Sequence, residues 1–127
     1  SRLPAHCSSM GRVLLAGLPD DVLHERLAAM TLAAFTRTTI TDREQLLETL
    51  KQVRAQGWCL VREELEPGLV SMAAPIRDVS GRVVAAINIS GQADKASAAY
   101  LLETCLPQLL AAAARINMLL GAPSQGV

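Results

Sequence analysis

The chain has 127 residues with 12 basic and 12 acidic side chains, and half of its residues are apolar. This length gives room for one compact domain, and the apolar content predicts a packed core. A net charge of zero without a Lys/Arg cluster argues against binding of DNA or RNA by this chain alone. There is no apolar run of the roughly 18 residues that a membrane span needs, no signal peptide pattern, and no metal or redox spacing among the three cysteines. We therefore expect a cytoplasmic domain with free thiols, without a membrane segment and without a cofactor.

The first thirty residues predict two helices. Residues 5–17 form the first helix, with Ser8 or Ser9 as its cap. Gly11 inside this helix costs roughly 1 kcal/mol relative to alanine, so we expect a close backbone contact there. The second helix runs through residues 18–30 and has a proline and an aspartate in its first turn.

A Thr-rich loop at residues 31–41 precedes the third predicted helix. Either Thr41 or Asp42 caps this helix, with a glutamate or glutamine three residues later, and Gly57 ends it. Its core-facing stripe consists of Leu46, Leu47, Leu50, Val53 and Arg54.

Three strands are predicted next, over residues 58–64, 69–77 and 82–90. The tetrapeptide DVSG at residues 78–81 is a strong hairpin signal between the last two strands. Helices before and after an antiparallel run indicate an α+β fold, with the helices on one side of a thin sheet. A sheet of this kind is expected to be completed by further strands or by a partner chain.

The last predicted helix begins near Asp94, and Pro107 inside it is expected to kink or restart it. Its apolar residues recur every three or four positions. They are Leu102, Leu106, Leu109, Ala113, Ile116 and Leu120. This stripe is longer than a three-stranded sheet requires, so part of it is a candidate subunit interface.

Strand alternation divides the hairpin into two faces. The aliphatic face, which we expect under the last helix, carries Val70, Met72, Ala74, Ile76, Val83, Ala85, Ile87 and Ile89. The other face is small and partly polar, and carries Ser71, Ala73, Pro75, Val84, Ala86, Asn88 and Ser90. A register with Arg77 opposite Arg82 pairs Ser71 with Asn88 and Ala73 with Ala86, and keeps both faces intact.

The polar face is the first candidate binding site. Ser71, Asn88 and Ser90 converge there, and the small neighbours leave volume for a small polar ligand. The alternative is that this face meets water, a further strand or a helix. The second candidate is the stretch at Ser8 and Ser9, where hydroxyls and helix-start N–H groups favour a carboxylate. An ordinary capped helix explains the same residues.

Catalytic motifs are weak in this chain. The carboxylates in the segment 62–68 stand before a Pro-Gly turn, where a solvated rim or a salt bridge to an arginine is the simpler interpretation. His6 adjoins Cys7, but neighbouring residues rarely point at one another and no residue is placed to orient the imidazole. A small hydrolase using Cys7 is therefore the weakest hypothesis, and we expect no enzyme.

Three segments together resemble the IclR family of bacterial transcription regulators. They are LPAHCSSMGRVLLAGL (3–18), TITDREQLLETLKQVRAQGWCLVREELEPGLVSMAAPIRDVSGRVVAAINISG (38–91) and LPQLLAAAARI (106–116). Within the family, the opening segment and the AINIS sequence are most similar to regulators of the β-ketoadipate pathway, which respond to protocatechuate, 4-hydroxybenzoate or β-ketoadipate.

The resemblance implies part of a GAF/profilin-like effector-binding domain over residues 1–121, followed by a flexible tail at 122–127. It implies a homodimer or homotetramer that binds a small carboxylate effector. DNA would be bound only through an N-terminal winged helix-turn-helix outside this chain, and the domain's first strands would also precede it. The chain's opening without an initiator methionine fits that expectation.

The resemblance also implies ligand residues. The positions that bind small carboxylates in the family's isocitrate lyase regulator correspond to Ser9, Met10, Val61, Ser71, Asn88 and Ser90, and Ser8 adjoins them. That regulator has an acidic residue in place of Val61, a cysteine in place of Ser71 and a serine in place of Asn88, so a different ligand is expected. The leading hypothesis is an effector-sensing and oligomerisation domain, and the alternative is an oligomerisation module without a ligand.

Overall fold

The computed structural model of the chain describes residues 3–123, so most of the predicted tail lies outside the described residues. The fold is α+β, with an antiparallel sheet packed with helices, as predicted. Its elements in chain order are α1 (Ser9–Ala16), α2 (Asp20–Ala29), α3 (Arg43–Gln56), β1 (Cys59–Arg62), β2 (Leu69–Arg77), β3 (Val83–Gln92), α4 (Lys95–Tyr100), a π-helical turn (Leu101–Cys105) and α5 (Leu106–Leu119).

Helix boundaries follow the local capping signals closely. Asp42 caps α3 by accepting a hydrogen bond from the backbone N–H of Gln45 at 2.9 Å, and Gly57 ends the helix with a φ of 85°. The first helix is shorter than predicted, because residues 5–8 form a turn before it and Ser8 is its cap.

The sheet is antiparallel in the order β1-β2-β3, and its predicted register is wrong by two residues. Ser71 pairs with Ser90 rather than with Asn88, and Asn88 pairs with Ala73. A shift of two residues leaves each side chain on the same face, because side chains alternate with a period of two. The two faces of the main ladder are therefore as predicted.

A β-bulge near the hairpin turn corrects one assignment. Ile76 pairs with Ala85, whereas the next residue, Arg77, pairs with Val83, so Val84 is an additional residue on β3. The extra residue reverses the alternation. Val83 consequently leaves the aliphatic face and packs against the core on the opposite side of the sheet.

Helices cover both faces of the sheet, not one side as predicted. The larger core lies between the sheet and α1, α2 and α3, and includes Val13, Leu50 and Val61. The smaller core packs the aliphatic face, including Met72, against Leu109 and its neighbours in α5. The central strand β2 is buried on both faces, so a sheet of only three strands contributes side chains to both cores.

The last helical segment is interrupted where Pro107 predicted a break. The π-helical turn Leu101–Cys105 directly precedes α5, whose first turn contains the proline. Proline lacks the N–H and its ring displaces the carbonyl four residues earlier, so a widened turn is the expected response. Of the apolar stripe, Leu109 is buried, whereas Leu102 and Leu120 are exposed.

Candidate functional site

The start of α1 carries the first group of predicted ligand residues. The Oγ of Ser8 accepts a hydrogen bond from the backbone N–H of Gly11 at 3.2 Å. This bond leaves the hydroxyl hydrogen available to donate to a ligand oxygen. Ser8 and Ser9 are buried, and Met10 is half-buried against the larger core. Ser8 thus forms the ordinary helix cap that was the alternative interpretation of this stretch. The cap explains the hydroxyl of Ser8 but not that of Ser9.

Gly11 allows the chain before α1 to cross over the first turn of the helix. A Cβ on Gly11 would lie 2.4 Å from the Cα and 2.6 Å from the carbonyl oxygen of Ala5. Only a residue without a side chain permits this approach, so the expected close backbone contact is confirmed. The crossing holds residues 5–8 against the helix and so fixes the position of Ser8.

A row of three residues crosses the sheet on the face that α1 covers. Ser71 in β2 lies opposite Val61 in β1 and Ser90 in β3, and Asn88 lies one row further along, opposite Ala73. Asn88 and Ser90 are exposed and Ser71 is half-buried, whereas Val61 is 3% exposed and belongs to the larger core. The polar groups of this face therefore come from β2 and β3, while Val61 contributes packing.

The direction of α1 brings its start to the end of the sheet where this row crosses. At the C-terminal end of the helix, a Cβ on Gly17 would lie 2.7 Å from the side chain of Val83, the first residue of β3. Nearer its N-terminus, Arg12 binds Glu64, which follows the last residue of β1 by two positions. The free N–H groups and the positive dipole end of α1 consequently lie towards the same end as the row.

Arg12 is a buried charged residue beside the candidate site, and the sequence analysis missed it. Its side chain is 2% exposed, and its Nη1 and Nη2 donate to the two carboxylate oxygens of Glu64 at 3.0 and 2.5 Å. Its Nε donates to the carbonyl oxygen of His6 at 2.8 Å, and Oε1 of Glu64 also accepts from the backbone N–H of Ile40 at 2.9 Å. The expected salt bridge between a carboxylate of the segment 62–68 and an arginine is confirmed.

The Thr-rich loop is fastened to the same corner of the molecule. The hydroxyls of Thr36 and Thr38 donate to the carbonyl oxygen of Glu63 at 2.6 and 2.7 Å, and Thr39 donates to that of Glu64 at 2.6 Å. These bonds satisfy carbonyl groups just after β1 that no strand pairs. The loop 31–41, the turn before α1 and the end of β1 thus form one hydrogen-bonded unit.

Two of the three cysteines are unsuited to nucleophilic chemistry. Cys7 and Cys59 are buried, and burial raises the pKa of both thiols, that of Cys59 from 9.0 to about 11. The positive charge of Arg12 opposes this rise but does not cancel it. A nucleophilic cysteine needs a lowered pKa and access to substrate, and Cys7 has neither.

Iodoacetamide at pH 8 is expected to alkylate Cys105, which is half-buried, at least tenfold faster than Cys7 or Cys59. The pKa of Cys59 in the folded protein lies above its unfolded value. The neutral thiol therefore stabilises the fold below pH 9, and this contribution to the free energy of unfolding is lost as the pH rises from 9 to about 11. Mass spectrometry of timed samples measures the three rates, with urea-unfolded protein as the control. Rapid labelling of Cys7 in the folded protein would revive the hydrolase hypothesis.

Evidence for other kinds of chemical site is weak among residues 3–123. That part of the chain contains no cluster of three His, Cys, Asp or Glu side chains able to hold a metal ion. His24 contacts the carbonyl oxygen of Asp20 through Nδ1 at 2.7 Å, four residues away on its own helix. In the same residues, no helix combines the length and apolarity that a membrane crossing demands.

Comparison with known proteins decides the family. Residues 1–118 match the family model described as "Bacterial transcriptional regulator IclR C-terminal". The chain belongs to the IclR family. This confirms the resemblance read from the three segments and, with it, the assignment to a class of transcription regulators rather than enzymes.

Two of the IclR relatives are regulators from Pseudomonas and Acinetobacter. The chain is 50% identical over 111 residues to the Pca regulon regulatory protein of Pseudomonas putida, covering 87% of this chain and 38% of that protein. It is 40% identical over 109 residues to the p-hydroxybenzoate hydroxylase transcriptional activator of Acinetobacter baylyi, covering 86% of this chain and 40% of the activator. The chain thus spans about two fifths of the length of these IclR proteins.

A solved IclR structure supports the fold in detail. The PobR inducer-binding domain from Acinetobacter, a double mutant in complex with 3-hydroxybenzoic acid, is 38% identical to this chain with a TM-score of 0.86. The match covers 92% of this chain and 67% of the PobR domain. The fold described above is therefore that of an IclR effector-binding domain.

Proposed function

We propose that this chain senses a small carboxylic acid, of the aromatic or β-ketoadipate type, on behalf of a cytoplasmic IclR regulator. The observation that carries the proposal is the likeness to the PobR inducer-binding domain, which was solved with a hydroxybenzoic acid. The regulator would bind DNA through an N-terminal winged helix-turn-helix that precedes this domain. Effector binding would favour one packing of the domains in a dimer or tetramer and so reposition the DNA-binding heads.

The geometry supports a ligand held between the start of α1 and the polar face. We propose that the carboxylate meets Ser8, Ser9 and the N–H groups around Met10, where the helix dipole favours a negative charge. The far end of the ligand then meets the hydroxyls of Ser71 and Ser90 and the amide of Asn88, with Val61 as an apolar wall. Val61 carries no charge, so a dicarboxylate meets no repulsion at this position.

Asn88→Ala and Ser90→Ala are each expected to weaken effector binding at least tenfold while changing the melting temperature without ligand by less than about 2 °C. Both side chains are exposed on β3, so the fold does not depend on them, whereas a ligand would lose a hydrogen bond to a polar atom. Thermal shift with protocatechuate, 4-hydroxybenzoate, β-ketoadipate, pyruvate and glyoxylate measures the effect. A ligand at about 100 times its dissociation constant adds roughly 2.7 kcal/mol to stability.

Gln52→Ala, which removes an exposed amide from α3, is the matched control and should bind like the original protein. Unchanged affinity in both β3 variants would remove these residues from the site. If none of the five acids raises the melting temperature of the unaltered protein, the proposed ligand class is wrong.

A second candidate function is an oligomerisation module without a ligand. Exposed apolar side chains towards the end of α5 favour it, since Met118 is 76% and Leu119 is 86% exposed. Light scattering that shows stable oligomers, together with a melting curve that no acid shifts, would support this candidate over the first.

A further inference from the structure

The pair of Arg12 and Glu64 joins α1, whose start carries one half of the proposed site, to the segment after β1, an edge strand of the sheet that carries the other half. Arg12 follows Ser8 by one helical turn on α1, and Glu64 follows Val61 by three positions on the segment that leaves β1. Their bidentate contact is almost completely removed from water, with side-chain exposures of 2% and 12%. Because of this placement, any movement of the helix start relative to β1 must stretch or break the pair.

Each partner also holds a second segment in position. Arg12 binds the carbonyl oxygen of His6 and so fixes the turn that leads into the helix cap. Glu64 binds the backbone N–H of Ile40 and so fixes the end of the Thr-rich loop. A guanidinium fork serves three acceptors at once, and a lysine ammonium lacks this fixed geometry.

We propose that Arg12 and Glu64 are positioning residues that set the spacing between the start of α1 and the polar face, and thereby set the affinity for the effector. This inference rests on the proposed function. Neither side chain contacts the ligand in this arrangement. The pair acts by keeping Ser8 and Ser9 at the distance at which one acid molecule reaches both them and the polar residues of β3.

Arg12→Lys tests the inference, and Arg54→Lys is its matched control. Arg54 makes a parallel set of bonds at the other end of α1: its Nε donates to the carbonyl oxygen of Ala16 at 2.8 Å, Nη1 to Asp20 at 2.8 Å and Nη2 to the carbonyl oxygen of Leu18 at 2.9 Å. Both variants keep the charge and remove the fork, but only Arg12 lies at the end of the helix that carries the proposed site.

Calorimetric titration of the full-length protein with protocatechuate, 4-hydroxybenzoate and β-ketoadipate gives the dissociation constants, and thermal melting gives the stability of each variant. For the acid that binds the original protein most tightly, the dissociation constant should rise at least tenfold in Arg12→Lys and less than twofold in Arg54→Lys. If Arg12→Lys does not fold, Glu64→Gln is used instead. It retains an oxygen for the N–H of Ile40, and the same selective loss is expected.

Three results would overturn the inference. Unchanged affinity in Arg12→Lys, with the original protein binding normally, removes the positioning role and leaves the proposed function intact. Equal losses in Arg12→Lys and Arg54→Lys mean that lowered stability, and not spacing at the site, reduces binding. Absence of binding by the original protein overturns the proposed function, and the positioning role falls with it.

Discussion

Glu64→Ala is expected to lower the free energy of unfolding by about 4 kcal/mol, because it leaves the guanidinium of Arg12 buried without its counter-ion. The backbone N–H of Ile40 loses its acceptor in the same variant. A loss of this size is a large part of the stability of an ordinary domain. Urea unfolding followed by circular dichroism measures it, provided that the slope of the transition is unchanged.

Glu63→Ala is the control for this prediction. Glu63 is the neighbouring carboxylate, but its side chain is 41% exposed and its nearest cation, Arg62, is 3.9 Å away. Exposed pairs of this kind contribute less than about 1 kcal/mol. Similar losses in the two variants would show that the segment after β1 tolerates no change, and that burial of the ion pair is not the cause.

Gly11→Ala is expected to destabilise the protein by about 3 kcal/mol, although alanine is the better helix former. Helix propensity alone predicts a gain of roughly 1 kcal/mol. The added methyl group would collide with backbone atoms of Ala5, which cannot rotate away as a flexible side chain can. The steric cost therefore exceeds the gain, and either the turn at residues 5–8 moves or α1 shifts.

Gly57→Ala is the control for this prediction, because it introduces backbone strain without a steric collision. Gly57 has a φ of 85° with no atom within 4 Å of the position a Cβ would take, so its replacement by alanine should cost only roughly 1 kcal/mol. Denaturant unfolding of both variants gives the comparison. A Gly11→Ala protein as stable as the original would mean that the chain before α1 does not cross the helix in solution.

Local signals predicted the elements that local interactions determine. The cap at Asp42 and the left-handed Gly57 define α3 by contacts within a few residues, and the strand β2 was predicted with the bounds it has. Pro107 likewise acts on its own helix. Each of these features follows from the backbone chemistry of one residue and its neighbours.

Features that depend on distant residues were missed or misjudged. Alternation is the same for any register shifted by two, so it could not show that Ser71 pairs with Ser90. Arg12 was overlooked because its partner is 52 positions away. One signal was present in the sequence, since Arg12 lies on the helical stripe that joins Ser9 to Ala16, both of which are buried. Of the candidate site, the residue types were predictable and their mutual placement was not.

The bulge on β3 also determines how the hairpin tolerates changes in length. Val84 is half exposed and occupies the position that has no counterpart on β2. A related protein that lacks one residue here can pair its two strands without interruption, with Val83 still beneath α1 and every later side chain on its present face. A deletion of one residue within the main ladder instead turns the following side chains over and exposes the core. In an alignment of relatives, a one-residue gap between positions 82 and 85 therefore indicates that the bulge is absent. The turn at 78–81 keeps its length in such a relative.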